Sequence, residues 1–299
     1  MYHQPVLLEE SISGLNIDPN GIYVDATFGG GGHSKEIYRK LNNGKLIAFD
    51  QDKDAENNVG EDEKIIFVRH NFRYMKNFLK YLGFTQINGI LADLGVSSHH
   101  FNTPERGFSF RFSAPLDMRM NQNHSLTAQY IINRYHPANL FRIFKEYGEI
   151  KSPRRIVDTL IKEREKKEIN TTDDLIYILD PLIPERNRNK MLARIFQALR
   201  IEVNQEITNL KIFLSQSAEM LKDRGRLVVI SYHSLEDRLV KNFMKTGRFS
   251  GTPEKDFYGN ILKPLKTINS KVITPSEMEI SENNRARSAK LRIAEKTQQ

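Results

Sequence analysis

The 299-residue chain contains no cysteine. Disulfides, thiolate nucleophiles and cysteine-based zinc sites are therefore excluded. No run of about 18 apolar residues occurs, so no membrane-spanning helix is expected. The opening residues Met1 to Glu10 are too short and too acidic for a secretory signal, and the expected compartment is the cytoplasm. Internal repeats and low-complexity segments are also missing, and no cluster of metal-ligand residues stands out, so the reading includes no metal. The hydrophobic fraction of 39% is enough for a sizeable core and argues against wholesale disorder. The net charge of +8 points toward a polyanionic partner, although ribosomal surroundings or plain solubility also produce such a balance.

The first hundred residues alternate strand and helix patterns. Residues 21–27 read as a short buried strand that enters the glycine cluster Gly29 to Gly32, followed by a helical run over 33–41. Lys45–Asp50, 65–68 and Ile87–Asp93 read as three more strands, and 73–82 place Met75, Phe78, Leu79 and Leu82 on one helical face. This order predicts a parallel sheet covered on both faces. From 104 to 203 no strand pattern occurs. Helical patterns there are interrupted by Pro137, Pro153, Pro181 and Pro184, and Leu192, Ile195, Phe196 and Leu199 share a face. The alternation then resumes. A helix carries the stripe Ile207, Leu210, Leu214, Ala218 and Leu221, and Arg224-Gly225 is expected to end it. Residues 226–231 read as a strand, 235–244 as a helix, and 288–294 as a strand with one buried face. Residues 249–284 are turn-rich and give no assignment. The expected organisation is an α/β core over 1–104 and 203–299 with a helical insert over 105–202.

The strongest candidate site is the first strand–glycine–helix turn. Glycines let a backbone approach a ligand closely, and a helix N-terminus adds partial positive charge. Gly29-Gly30-Gly31-Gly32-His33-Ser34 ends in serine where a dinucleotide fingerprint has glycine. Asp25 precedes the turn and would repel a pyrophosphate. It suits a ligand with a cationic amino-acid head, such as S-adenosylmethionine. Asp50, at the end of the second strand, has the position that commonly holds adenosine ribose hydroxyls. Asp93 ends the fourth strand at the same carboxyl edge. Phe72 is expected either against an adenine or in the core.

Longer motifs carry a resemblance. They include His3-Gln4-Pro5-Val6-Leu7-Leu8-Glu9, Asp25-Ala26-Thr27-Phe28-Gly29-Gly30-Gly31-Gly32-His33-Ser34, Leu94-Gly95-Val96-Ser97-Ser98 and Glu105-Arg106-Gly107-Phe108-Ser109-Phe110. Others are Pro115-Leu116-Asp117-Met118-Arg119-Met120, Phe196-Gln197-Ala198-Leu199-Arg200-Ile201, Ser231-Tyr232-His233-Ser234-Leu235-Glu236-Asp237-Arg238 and the stretch from Asn284 to Arg292. Together they resemble the bacterial small-subunit rRNA cytosine-N4 methyltransferases, the RsmH (MraW) family, nearly end to end. The resemblance implies a class I, S-adenosylmethionine-dependent methyltransferase fold. That fold is Rossmann-like, with a mostly parallel seven-stranded sheet and an inserted helical subdomain. It implies methyl transfer to N4 of a decoding-centre cytosine of 16S rRNA in the small ribosomal subunit. Carried over by position, cofactor contacts fall on Gly31, Gly32, His33, Asp50, Phe72, Asp93 and His100, the last where the family often has glutamine or another polar residue.

A cytosine amine is a poor nucleophile because its lone pair is delocalised into the ring. A hydrogen-bond acceptor on its N–H would localise that pair. The candidates are Asp93 or Asp117, with His233 or Ser234 after the fifth strand. Asp117 has the alternative of an ion pair with Arg119, and His233 that of a helix cap. For RNA, Phe108, Phe110 and Phe112 are expected either to stack a base while Arg106 and Arg111 hold phosphates, or to tuck their loop onto the core. The clusters containing Arg188 and Arg194, and Arg285 and Arg287, carry almost no compensating acid in sequence and are expected on the RNA backbone. An NAD-linked oxidoreductase, a non-catalytic RNA-binding module and a DNA or small-molecule methyltransferase are the competing readings. The oligomeric state is open at this stage.

Overall fold

A computed structural model describes residues 5–60, 65–96, 103–269 and 271–298. It divides into two compact units, Met1–Gly95 with Ile207–Gln299, and Val96–Glu206. These boundaries fall outside the expected 105–202 at both ends. The reason is packing. Val96 and Val203 both join the second unit's apolar cluster, and Asn204 holds Met120 N–H and the Met118 carbonyl at 2.8 Å each.

The first unit opens with α1 (Leu8–Leu15), β1 (Ile22–Asp25), α2 (Gly32–Arg39), β2 (Lys45–Asp50), β3 (Ile65–Arg69), α3 (Met75–Tyr81) and β4 (Ile87–Asp93). The second contains α4 (Ala128–Arg134), α5 (Pro137–Glu146), α6 (Arg154–Lys166), α7 (Thr172–Leu179) and α8 (Arg188–Asn204). The chain then returns through α9 (Glu206–Met220), β5 (Leu221–Ser231), α10 (Ser234–Thr246), β6 (Leu265–Thr267), α11 (Glu277–Glu282) and β7 (Lys290–Lys296).

The seven strands form one sheet in the order β3-β2-β1-β4-β5-β7-β6. The first five run parallel, and β7 is antiparallel to both β5 and β6. Alternate residues of each strand serve opposite faces. Val24, Ile47, Ile90, Leu227 and Val229 enter one apolar cluster. Their neighbours Tyr23, Leu46, Leu91, Val228 and Ile230 enter another. Near-continuous apolar strands are what a sheet with both faces covered requires. The register pairs Asp25 with Ala48 and Leu91, so β1, β2 and β4 end at one edge with Asp25, Asp50 and Asp93.

Two sequence expectations need correction. Arg224-Gly225 does not end α9, which stops at Met220 and passes directly into β5. Ile87 pairs with Leu221 but Gly89 with Arg226, so residues 222–225 bulge out of the ladder, and Arg224 takes the left-handed φ of 63°. A bulge presents the same glycine and left-handed signal as a helix end. The turn-rich 249–284 segment, left without assignment, contains β6 and α11.

In the second unit, described residues form no named strand, only the isolated bridge Pro115↔Thr171. Pro137 stands at the first turn of α5 and Pro153 at the N-cap of α6. Both prolines start helices, where the missing N–H has no intrahelical partner to lose. Among the described residues no helix is long and apolar enough to cross a membrane.

Candidate active site

The carboxyl edge of β1, β2 and β4 gathers the acids with the glycine turn. Gly29 and Gly31 take left-handed φ values of 51° and 73°. A Cβ on Gly31 would stand 2.9 Å from the Phe28 ring, and one on Gly32 would stand 2.2 Å from Pro5 Cγ. Gly31 and Gly32 therefore have no room for side chains. Gly31→Ala is expected to cost about 1–2 kcal/mol from backbone strain alone. Calorimetry would read it as a lower Tm and weaker binding of S-adenosylhomocysteine.

Asp50 ties this turn to β2. Its Oδ2 accepts the Gly29 N–H and its Oδ1 the Asp52 N–H, each at 2.8 Å. Asp25 is buried at 1% exposure. It accepts the Ser34 hydroxyl at 2.7 Å and the Thr27 N–H at 3.0 Å. Burial pushes its carboxyl up to about 6, against the pull of those hydrogen bonds.

Asp93 is the centre of the cluster. Its Oδ1 accepts the Tyr232 hydroxyl at 2.8 Å, and its Oδ2 stands 3.9 Å from His33 Nδ1. Its backbone N–H reaches Thr27 Oγ1. Desolvation pushes this carboxyl up to about 6, while His33 and the Tyr232 hydroxyl pull downward. Buried His33 has its pKa lowered by desolvation, so the ring is neutral near pH 7. Its Nε2 lies 3.1 Å from the Val6 carbonyl, which only accepts. Nε2 therefore carries the proton, and Nδ1 faces Asp93 as a lone pair. Two acceptors confront each other, which suits a ligand ammonium placed against both. The donor set fits an adenosyl ligand with an amino-acid head and does not fit a pyrophosphate.

Other expected residues fall differently. Phe72 is half-buried and meets Phe213 edge-to-face at 5.1 Å, so one side of the ring packs on the core. His100 lies outside the described residues. Asp117 is gripped by Arg119 at 2.8 and 2.7 Å, which answers its ion-pair alternative. Burial works upward on that carboxyl, but the guanidinium holds it below the usual range. His233 caps α10, accepting the Glu236 N–H through Nδ1. Ser234 is exposed at the start of that helix.

The RNA expectations need more revision. Arg106 is 5% exposed and donates to the carbonyls of Arg119 and Met120, so it staples a loop and offers nothing to a phosphate. Phe108 is buried and offers no face to a base, and Phe110 is half-buried and packs edge-to-face on Phe196 at 5.6 Å. Phe112, at 47% exposure, and Arg111 point outward. Arg188 is paired bidentately with Asp180, the compensating acid that its sequence neighbourhood lacks. Arg194 is half-buried and its guanidinium lies 3.5 Å from the Glu149 carbonyl. Arg285 and Arg287 are exposed. Lys290 and Arg292 of the same stretch are held by Asp237.

Sequence reasoning did not find Tyr232 as a partner of Asp93. The residues are 139 apart in sequence and meet only because β5 lies beside β4. Buried Glu236 accepts the Tyr232 N–H at 3.0 Å and so fixes that backbone. The Tyr232 ring would contact a Cβ on Gly95 at 3.3 Å.

A seven-stranded sheet in which β7 alone is reversed, with an acid-lined glycine turn at its carboxyl edge, defines a class I methyltransferase that uses S-adenosylmethionine. The chain belongs to the MraW methylase family, whose profile matches residues 1–297. It is 57% identical over 296 residues to the ribosomal RNA small subunit methyltransferase H of Flavobacterium johnsoniae, covering 99% of this chain and 98% of that one. To the protein of the same name from Bacteroides thetaiotaomicron it is 55% identical over 296 residues, covering 99% and 97%.

Proposed function

We propose that this chain methylates N4 of a decoding-centre cytosine in 16S rRNA of the small ribosomal subunit. The names of its relatives support the small-subunit rRNA, and the lack of cysteine speaks against a ring carbon as the methyl acceptor. A pyrimidine ring carbon is methylated after a thiolate adds to the ring, and this chain has no cysteine to supply one. An exocyclic nitrogen attacks through its own lone pair once it is positioned.

The observation that carries the reading is Asp93, held by Tyr232 and turned toward His33 at the carboxyl rim. S-adenosylmethionine, when bound, supplies an electrophilic methyl on a sulfonium. Asp93 and His33 would receive its ammonium, Asp50 would hold its ribose, and Gly31 and Gly32 would let it approach the backbone. Positioning of this kind accounts for roughly 7–11 kcal/mol of a barrier in favourable cases. The target base reaches such a rim only when single-stranded or flipped out, at a cost of a few kcal/mol. Of the three phenylalanines expected to stack a base, Phe112 is the exposed one. Its carbonyl is anchored by the hydroxyl of buried Thr172 at 2.7 Å, so the tip is held while the ring is offered.

Mass spectrometry of 16S rRNA from cells with and without the gene tests the reading. Loss of one N4-methylated cytidine is expected, and an unchanged signal would overturn it. Arg285 and Arg287 lie just before Lys290, which pairs with Ser231 at the rim. Replacing both with Glu is expected to weaken rRNA binding while leaving S-adenosylhomocysteine affinity unchanged. Each lost phosphate contact should lower the slope of log K against log salt by about 0.7–0.9. An unaltered slope would remove these arginines from the RNA path.

A further inference from the structure

The two most exposed large hydrophobic residues among those described are neighbours, Phe257 at 98% and Tyr258 at 87%. Isolated apolar residues on a surface need no explanation, but a paired aromatic tip does. They sit on a tight turn between α10 and β6. Lys255 and Ile261 bridge its arms, and Leu262 N–H bonds the Glu254 carbonyl at 2.8 Å. Asp256 fixes the tip from inside. Its Oδ1 accepts the N–H groups of Tyr258 and Asn260, and its Oδ2 the Asn260 amide. The base is anchored too, since Phe249 stacks on buried Phe243 at 5.0 Å. The rings meet edge-to-face at 88°, so each leaves a broad face to solvent.

The surroundings are basic. Residues 241–271 carry seven Lys or Arg and two acids, Glu254 and Asp256. Glu254 pairs with Arg248, and Asp256 is occupied within the turn. Lys255 and Lys266 are exposed. Flat aromatic faces beside unneutralised lysines match nucleobases strung on phosphates, and a prefixed backbone binds them without a cost of ordering. An apolar groove on a protein would use the rings and have no use for the lysines.

The turn runs into β6 at the edge of the sheet opposite the rim. Along β7, Lys290 pairs with Ser231 at the rim and Lys296 with Leu265 at the opposite edge. Seven residues of strand separate the two by roughly 20 Å. We propose that the Phe257–Tyr258 turn docks rRNA at a second point, so that the chain reads the folded small-subunit RNA and not the target strand alone. The proposal rests on the rRNA reading above and adds to it the form of substrate.

The test is the double variant Phe257→Ala/Tyr258→Ala, compared with wild type on unmethylated small subunits and on a short oligonucleotide spanning the target. S-adenosylhomocysteine affinity and Tm are the controls for folding. Affinity for the subunit is expected to fall roughly ten- to a hundredfold, with affinity for the oligonucleotide unchanged. Equal losses on both, or no loss on either, overturn the proposal. Ultraviolet crosslinking of wild type to subunits gives a second measurement. A nucleotide attached to the 254–262 peptide supports RNA docking, and attachment to a ribosomal protein or to nothing overturns it. If the wild type itself leaves small-subunit RNA unmethylated, the underlying rRNA reading fails instead.

Discussion

S-adenosylhomocysteine is expected to bind about tenfold more tightly at pH 7 than at pH 5, with a proton released on binding, if one carboxyl near 6 must ionise to receive its ammonium. Asp93 is that carboxyl. The titratable groups facing it are His33 from α2, Asp25 from β1, Tyr232 and Glu236. Desolvation lifts it to about 6, and an ammonium lodged against Oδ2 favours the ionised form. Affinity is therefore present above pH 6 and lost below it. Asp25, also near 6, steepens the dependence if it ionises in the same step. The sign for stability follows. A carboxyl raised from 3.8 to about 6 in the folded protein contributes stability below 3.8 and loses it as pH rises through 6. Ligand binding offsets that loss, so the Tm gain from S-adenosylhomocysteine is expected to be larger at pH 7 than at pH 5. Tyr232→Phe removes a hydrogen bond that pulls the Asp93 carboxyl down, so the midpoint should move to higher pH and affinity should recover in alkaline buffer. Asp93→Asn should flatten the profile and weaken binding throughout. Titration calorimetry in buffers of different ionisation enthalpy reads all of these. A pH-independent affinity in wild type would remove Asp93 from the ammonium site, and an unmoved midpoint in Tyr232→Phe would leave the tyrosine a purely structural contact.

The parts of this site that were legible in sequence are those set by local pattern. Apolar runs ending in Asp25, Asp50 and Asp93 announce strands whose acids share an edge, because parallel strands in a covered sheet must align their carboxyl ends. The glycine turn is legible because Gly29 and Gly31 need left-handed backbone. What escaped is set by partners far away in the chain. Arg188 has Asp180, and Lys290 and Arg292 share Asp237, so part of each basic cluster in sequence is a set of ion pairs in space. Phe108 and Phe110 alternate like exposed stacking residues, yet they turn inward because the second unit needs their area for its core. The 222–225 bulge imitates a helix terminus because both call for the same residues.

The residue whose role changes most is Arg106, and its replacement carries the largest expected effect on stability. Its guanidinium donates to the Arg119 carbonyl at 2.9 Å and the Met120 carbonyl at 3.0 Å, and it stands over the Phe108 ring at 6.0 Å. Its own carbonyl accepts Met118 N–H at 3.0 Å. Between those contacts Met118 is held at a φ of 61°, a conformation costly for a side-chain-bearing residue. Arg106→Ala strips two charge-assisted bonds and leaves buried carbonyls without that donor, an expected loss of about 3 kcal/mol. For a unit of this size that is a fall in Tm on the order of 10 °C. Arg106→Lys keeps the charge but lacks the planar fork that reaches both carbonyls, so it should recover only part of the loss. Scanning calorimetry should show the fall, and S-adenosylhomocysteine affinity, set by residues of the other unit, should stay at the wild-type value. A variant that melts like wild type but no longer binds rRNA would show that the guanidinium belongs to the phosphates after all, because a buried staple cannot be removed without cost to the fold.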